Sequence, residues 1–189
     1  TLFNFQLMHV AGEDGVAAYG TLMYVNFIFV AIFLGYSIGS APIVSYHYGA
    51  RNSEELKNLL TKSLKMIGVW SVALFALAQL IASPLARIFV GYDPNLFDLT
   101  RHGFRIFCLA FLVNGFNIYG SSFFTALNNG LLSAVISFLR TLVFQIASVL
   151  LLPMIFGIDG IWGAVFVAEI LTLCVTIICL AKKQKVYHY

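Results

Sequence analysis

Charged residues divide the chain into long apolar stretches. From Gly15 to Ala50 there is no Asp, Glu, Lys or Arg, and the run Met66–Ala86 is equally bare. Another runs from Ile106 to Leu139, and a last one, about Gly160 to Ala181, is interrupted only by Glu169. A helix needs about 20 mostly apolar residues to cross the hydrocarbon core of a bilayer. The pattern therefore predicts spans at about 15–48, 64–83, 104–127, 131–153 and 160–181. Asn128-Asn129-Gly130 supplies the turn inside the third stretch. The first span is too long for a simple crossing, so its helix is long, tilted or broken, and Gly35, Gly39 and Pro42 mark where a break would most easily fall. Ahead of it, Thr1–Ala11 is apolar and ends at Gly12-Glu13-Asp14-Gly15. A helix that short covers about half the core. It reads as the second half of a helix, and the chain as a fragment or one that has lost its N-terminal part.

Composition agrees. Hydrophobic residues make up 60% of the 189 positions and charged residues 10%, with a mean hydropathy of +0.90. A soluble fold of this size leaves too much area exposed to hide such a surface. Disorder is excluded on the same ground. With a net charge of +3 and no basic stripe, nucleic acid is excluded as a partner. The class is an all-α, polytopic membrane helical bundle with the lipid bilayer as its partner. Cys108, Cys174 and Cys179 sit in apolar runs with no disulfide or zinc spacing. His9, His47, His102 and His188 are scattered, so neither a metal site nor a cofactor is read.

Loop charges give an orientation. One side holds Arg51, Lys57, Lys62, Lys65, Lys182, Lys183 and Lys185; the other holds Arg87, Arg101 and Arg105. The first side, with the C-terminal tail, is expected in the cytoplasm and the chain in a cell membrane (bacterial inner or plasma membrane). Asn52–Lys65 reads as the start of a cytoplasmic helix capped by Ser53, with Glu54 and Glu55 in its first turn. Ser83–Thr100 reads as an interfacial helix followed by an outer loop. No strong internal repeat is visible.

Few polar side chains lie inside the predicted spans. Glu169 is the sole carboxylate there, and Arg140 the sole Lys or Arg away from the span ends, where Lys65 and Arg105 stand. An ionised group in the bilayer must face the bundle interior, a partner or water. Glu169 is the candidate ion-coupling residue. An ion pair with Arg140 would satisfy both, but their spacing leaves the pairing open. Asn114, Asn117 and Ser121 share a helix face and form a candidate cavity lining; interhelical hydrogen bonding is the plainer use of such residues. Gln145 and Asn26 pose the same choice. Tyr24 and Tyr36 are candidates for an aromatic wall toward planar cations. Gly35-x-x-x-Gly39 is a motif for close helix packing.

Several segments together resemble the multidrug and toxic compound extrusion (MATE) transporters. Gly12-Glu13-Asp14-Gly15-Val16-Ala17-Ala18-Tyr19 and Gly35-Tyr36-Ser37-Ile38-Gly39-Ser40-Ala41-Pro42 look like the second helix of a repeat in that family. Ile43–Asn52 is similar to the end of that helix, and Pro84-Leu85-Ala86-Arg87-Ile88-Phe89 resembles the outer loop after the third. The wording is closest to the staphylococcal-type exporter branch, in the C-terminal six-helix lobe. The resemblance implies an N-terminal lobe as partner, missing here, and Na⁺- or H⁺-coupled antiport of cationic or amphipathic drugs by alternating access. A sharper reading of Gly35-x-x-x-Gly39, with Pro42 nearby, is a hinge that bends during alternating access. A coupling carboxylate of some relatives would fall before Thr1. A second has no acidic counterpart on residues 106–127, where Asn114 and Asn117 are nearest. A lipid-linked oligosaccharide flippase would need a more cationic cavity than Arg140 alone supplies. A membrane enzyme would need clustered His, Asp or Ser that the sequence lacks. A purely structural bundle would need neither Glu169 nor Arg140.

Overall fold

The computed structural model describes residues 2–187 and Tyr189; Thr1 and His188, both named above, lie outside the described residues. The helices are α1 (Leu2–Gly49), α2 (Ser53–Val90), α3 (Pro94–Phe107), α4 (Phe111–Ala126), α5 (Gly130–Phe138) and α6 (Gln145–Tyr187). A 3-10 turn, Cys108–Ala110, joins α3 to α4, and a π-helical turn, Leu139–Phe144, joins α5 to α6. There is no strand among the described residues, in keeping with the expected all-α bundle. The stretches Leu2–Gly49, Ser53–Val90, Pro94–Ala126 and Gly130–Tyr187 are each long and apolar enough to cross a membrane.

Two glycines fold the first and last of these stretches back on themselves. Gly12 (φ 66°, ψ −153°) and Gly157 (φ 56°, ψ −133°) interrupt α1 and α6 in a backbone region that side chains exclude. A straight helix would hold Phe3 and Tyr19 about 24 Å apart; their rings stack with centroids 5.0 Å apart. In each hairpin a second glycine follows three positions on. A methyl on Gly15 would lie 2.7 Å from the Ala11 Cβ, and one on Gly160 would lie 2.4 Å from the Leu152 carbonyl oxygen. The same four-residue pattern, Gly-x-Asp-Gly, thus builds both hairpins, at Gly12–Gly15 and Gly157–Gly160. That is a repeat the sequence reading did not find.

The reversals sort the connections to two ends of the bundle. One end holds the turns after α1 and α4 together with the tail. There Asn129 Nδ2 donates to the Tyr187 hydroxyl at 2.8 Å, and Tyr48 packs on Tyr187 with centroids 5.7 Å apart. Asn128 takes a positive φ of 59° and Asn129 caps α5 by accepting from Leu132 N at 3.1 Å. The expected turn at Asn128-Asn129-Gly130 is therefore present. The other end holds both glycine hairpins and the turn after α2, with His102 Nε2 2.8 Å from Asp159 Oδ1.

One local expectation is narrowed and three are corrected. First, of the long, tilted or broken helix expected over residues 15–50, the unbroken form is present: α1 runs helically through Gly35, Gly39 and Pro42 to Gly49, and Gly12 alone is non-helical. Beyond the proline this arm is tied to the end of α4, where Ser45 Oγ donates to the Ala126 carbonyl at 2.9 Å. Second, α2 is one helix from Ser53 to Val90, so no separate interfacial helix forms at Pro84. Third, α3 replaces the outer loop after Gly91. Asp93 Oδ1 accepts from Asn95 N at 2.8 Å and Leu96 N at 3.2 Å, with Pro94 in the first turn where its missing N–H costs nothing. Fourth, the cap of α2 is Asn52 rather than Ser53, accepting from Glu55 N at 3.1 Å.

The interior is aromatic. Trp162, Tyr119, Phe33, Phe104, Phe107, Phe111, Phe123 and Phe124 are all fully buried. Close approach is set where a ring or methyl meets a missing side chain: Gly103 against Trp162, Gly115 against Phe33, and Gly120 against Thr176. The outside carries open apolar side chains such as Leu80, Ile88 and Met154. Water would penalise that arrangement and lipid does not.

Candidate functional site

Inside an apolar bundle a polar group is stable only when it is paired, and the polar side chains of three segments meet on one buried line. Asn114 and Asn117 lie one turn apart on α4. The π-helical turn carries Arg140, whose carbonyl accepts from Gln145 N–H across the widened loop. Such a turn inserts one extra residue, shifts the side chains that follow, and recurs at functional sites. On α6, Glu169, Thr172 and Thr176 stack on one face.

The contacts close a network. Arg140 donates from Nε to Glu169 Oε1 at 2.8 Å and from Nη2 to the same oxygen at 2.6 Å. Nη2 also donates to Asn114 Oδ1 at 2.5 Å. Asn117 Nδ2 donates to Glu169 Oε2 at 2.7 Å and to its carbonyl at 2.8 Å. Thr176 Oγ1 then donates to Asn117 Oδ1 at 3.1 Å, a contact allowed because Gly120 leaves room for the Thr176 methyl. Both carboxylate oxygens of Glu169 are thus engaged. The Glu169 side chain is 6% exposed and that of Arg140 is 24% exposed. Screening by water is weak at such a site, so the pair holds strongly once formed. The ion pair left open by the sequence is formed, and both asparagines serve it.

Ser121 lies apart from this network, in a hydroxyl cluster beside it. Its Oγ is 2.8 Å from Ser133 Oγ and 2.9 Å from Ser137 Oγ, and Thr125 Oγ1 donates to Ser133 Oγ at 2.8 Å. These residues line a cleft of about 280 Å³ together with Ser37, Ser122, Arg140 and the apolar side chains of Leu34, Ile38 and Ile118. Arg140 therefore borders both the buried network and the open cleft.

The remaining candidates stand elsewhere. Gln145 lines a separate cavity of about 340 Å³ with Phe3, Thr141 and Val149. Asn26 is half-buried on α1 and makes no side-chain hydrogen bond among the described residues. Tyr24 is exposed and stacks on Phe89 with centroids 5.7 Å apart. Tyr36 donates to Ser63 Oγ at 2.9 Å and packs on Tyr119. Neither tyrosine lines the cleft, so they form no joint aromatic wall in this chain. Gly35 and Gly39 are open in this structure. A methyl on either meets nothing within 4 Å among the described residues. Residues that the sequence reading passed over are Ser37, Thr125, Ser133, Ser137, Thr172 and Thr176. Their signal was spacing: Ser133 with Ser137 and Thr172 with Thr176 are pairs one turn apart, the latter in phase with Glu169.

Comparison with known proteins agrees with this architecture. The MatE family model matches residues 1–151. A probable multidrug resistance protein, YoeA of Bacillus subtilis, is 23% identical over 183 residues, covering 94% of this chain and 38% of that protein. An FAD transporter of Shewanella oneidensis is 25% identical over 183 residues, covering 95% and 39% respectively. The chain thus spans about two fifths of the length of these relatives. The fold matches the inward-facing structure of a multidrug resistance MATE family transporter of the MOP superfamily with a TM-score of 0.92. That match has 19% identity and covers 99% of this chain and 43% of the other. A six-armed helical bundle with a buried ion pair, matched by the family model over most of its length, belongs to the MatE family of membrane transporters.

Proposed function

We propose that this chain is the C-terminal lobe of a secondary active exporter. Such an exporter moves amphipathic drug-like molecules out of the cell by alternating access, in exchange for Na⁺ or H⁺. The observation that carries the reading is Arg140. It ties the one intramembrane carboxylate, Glu169, to the rim of an open cleft, so that an event at the carboxylate is felt where a cargo would sit. A coupling ion arriving at Glu169 competes with the Arg140 guanidinium for Oε1. An N-terminal lobe of the same polypeptide would cover the face of α1 that carries Leu34, Gly35, Ile38 and Gly39, where both glycines are open. The lysine-rich tail supports a cytoplasmic C-terminus in a cell membrane, and the residues quoted above favour the staphylococcal-type branch. A cationic cargo would need its carboxylate from outside the cleft described here, since none lines it.

Glu169→Gln, introduced into the protein that carries this chain, tests the reading. Efflux driven by an imposed Na⁺ or H⁺ gradient in proteoliposomes should be lost while expression and membrane insertion stay normal. Unchanged gradient-driven efflux would remove Glu169 from the mechanism.

A further inference from the structure

The cleft beside the ion pair has an uneven supply of charge. Its lining contains one charged side chain, Arg140, and no carboxylate. Glu169, the nearest acid, has Oε1 held by Arg140 and Oε2 held by Asn117. The guanidinium spends Nε and Nη2 on Glu169 and Asn114, and Nη1 has no hydrogen bond among the described residues. Because guanidinium is planar with its donors in a fixed fork, engaging one edge fixes the direction of the other. Around it stand hydroxyls, which turn to donate toward an anion. Ser37 is the informative one. It is 2% exposed, lines the cleft, and its Oγ has no partner. A buried, unpartnered hydroxyl costs free energy unless something else satisfies it. The opposite wall, Leu34, Ile38 and Ile118, is apolar.

We propose that this cleft binds the anionic oxygen group (carboxylate, sulfonate or phosphate) of an amphipathic molecule. Arg140 supplies a charge-assisted donor, the hydroxyls of Ser37, Ser121 and Ser137 turn to supply others, and the apolar wall takes the body. The inference rests on the transporter reading above and names the charge class of its cargo. Glu169 offsets the charge of the guanidinium, so recognition rests on directed donors: the edge of Arg140 that Glu169 does not engage gives a charge-assisted hydrogen bond to an anionic oxygen. The volume of about 280 Å³ accommodates such a group with a ring attached. Glu169 and Asn114 act as positioning residues, because they hold the guanidinium in the orientation that leaves Nη1 free.

The test is fluorescence polarisation with the purified protein in phosphatidylcholine nanodiscs, using carboxyfluorescein as the anion and ethidium as the cation. Carboxyfluorescein should bind saturably and at least about tenfold more tightly than ethidium. Ser37→Ala with Ser121→Ala should weaken the anion by about tenfold and leave the ethidium signal unmoved in a protein that still melts cooperatively. Arg140→Gln with Glu169→Gln, which replaces the ion pair by an amide pair, should abolish saturable anion binding in a protein that still melts cooperatively. Absent anion binding, equal or tighter ethidium binding, or anion binding indifferent to both double variants would each overturn the assignment. Displacement of carboxyfluorescein by added phosphatidylglycerol would assign the anion site to a lipid headgroup, and resistance to it would assign a soluble organic anion. Anion binding without gradient-driven dye movement in proteoliposomes would sink the transporter reading and leave the site. Ethidium movement without anion binding would sink the site and leave the transporter.

Discussion

Arg140 and Glu169 meet with Nη2 2.6 Å from Oε1, across 29 positions of sequence and from a π-helical turn to the middle of α6. Each is the other's only ionised partner inside the bundle among the described residues. That mutual dependence sets the first expectation. Arg140→Met should destabilise the lobe by about 3–5 kcal/mol, because Glu169 is left buried with only Asn117 beside its carboxylate. Arg140→Met with Glu169→Met should recover most of that loss, since a packed apolar pair carries no desolvation penalty. Unfolding in detergent reads both. A single variant as stable as the parent would show that the pair is not holding the helices.

Gly120 and Thr176 make a second, steric prediction. A methyl on Gly120 would fall 2.4 Å from Thr176 Cγ2, so Gly120→Ala should cost about 1–3 kcal/mol by overpacking. Adding Thr176→Ser removes the clashing methyl and keeps the hydroxyl that donates to Asn117. Stability should return in that double variant, with a coupling energy that a double-mutant cycle measures. Additive losses would mean the two helices had already moved apart.

The glycines separate into two kinds. Gly12→Ala and Gly157→Ala force a side chain into a backbone region that only glycine enters comfortably, at about 1–3 kcal/mol each. Gly35→Ala and Gly39→Ala meet open space and should raise helix stability by about 0.5–1 kcal/mol. Melting of the four purified variants should show opposite signs. If Gly35→Ala or Gly39→Ala also lowers transport in the protein that carries this chain, the loss comes from whatever packs on that face.

Asp93 gives a local prediction. Its carboxylate accepts from the first two free amides of α3, so Asp93→Ala should cost about 1 kcal/mol. Amide exchange should speed up at Asn95 and Leu96 while the α4 amides keep their protection. Uniform exchange along α3 and α4 would place the effect elsewhere.

Much of the bundle was legible because lipid imposes a simple rule: long apolar runs must be helices, and charge marks their ends. The turn at Asn128-Asn129-Gly130 could be read because its residues suit positive φ and capping. The continuity of α1 through Pro42 and of α2 through Pro84 could not, because neighbouring helices decide whether a proline breaks a helix or is carried along. Gly-x-Asp-Gly was written twice in plain view. Only the stacking of Phe3 on Tyr19 shows that such a motif reverses the chain, since the same residues also fit an open loop.

The sequence alone determined that the chain lives in a membrane and that Glu169 and Arg140 must find shelter inside it, because an unpaired charge cannot rest in hydrocarbon. It also placed Asn114 and Asn117 on one helical face. The tertiary structure decided who meets whom. It joined Arg140 to Glu169 through a π-helical turn that no residue pattern announces, and moved Ser121 out of the asparagine stripe into a hydroxyl cleft. It left Gly35 and Gly39 bare while giving close packing to Gly103, Gly115 and Gly120. Spacing along a helix fixes direction around one axis only; partners depend on how several axes pack, and that is settled by the whole set of buried surfaces at once.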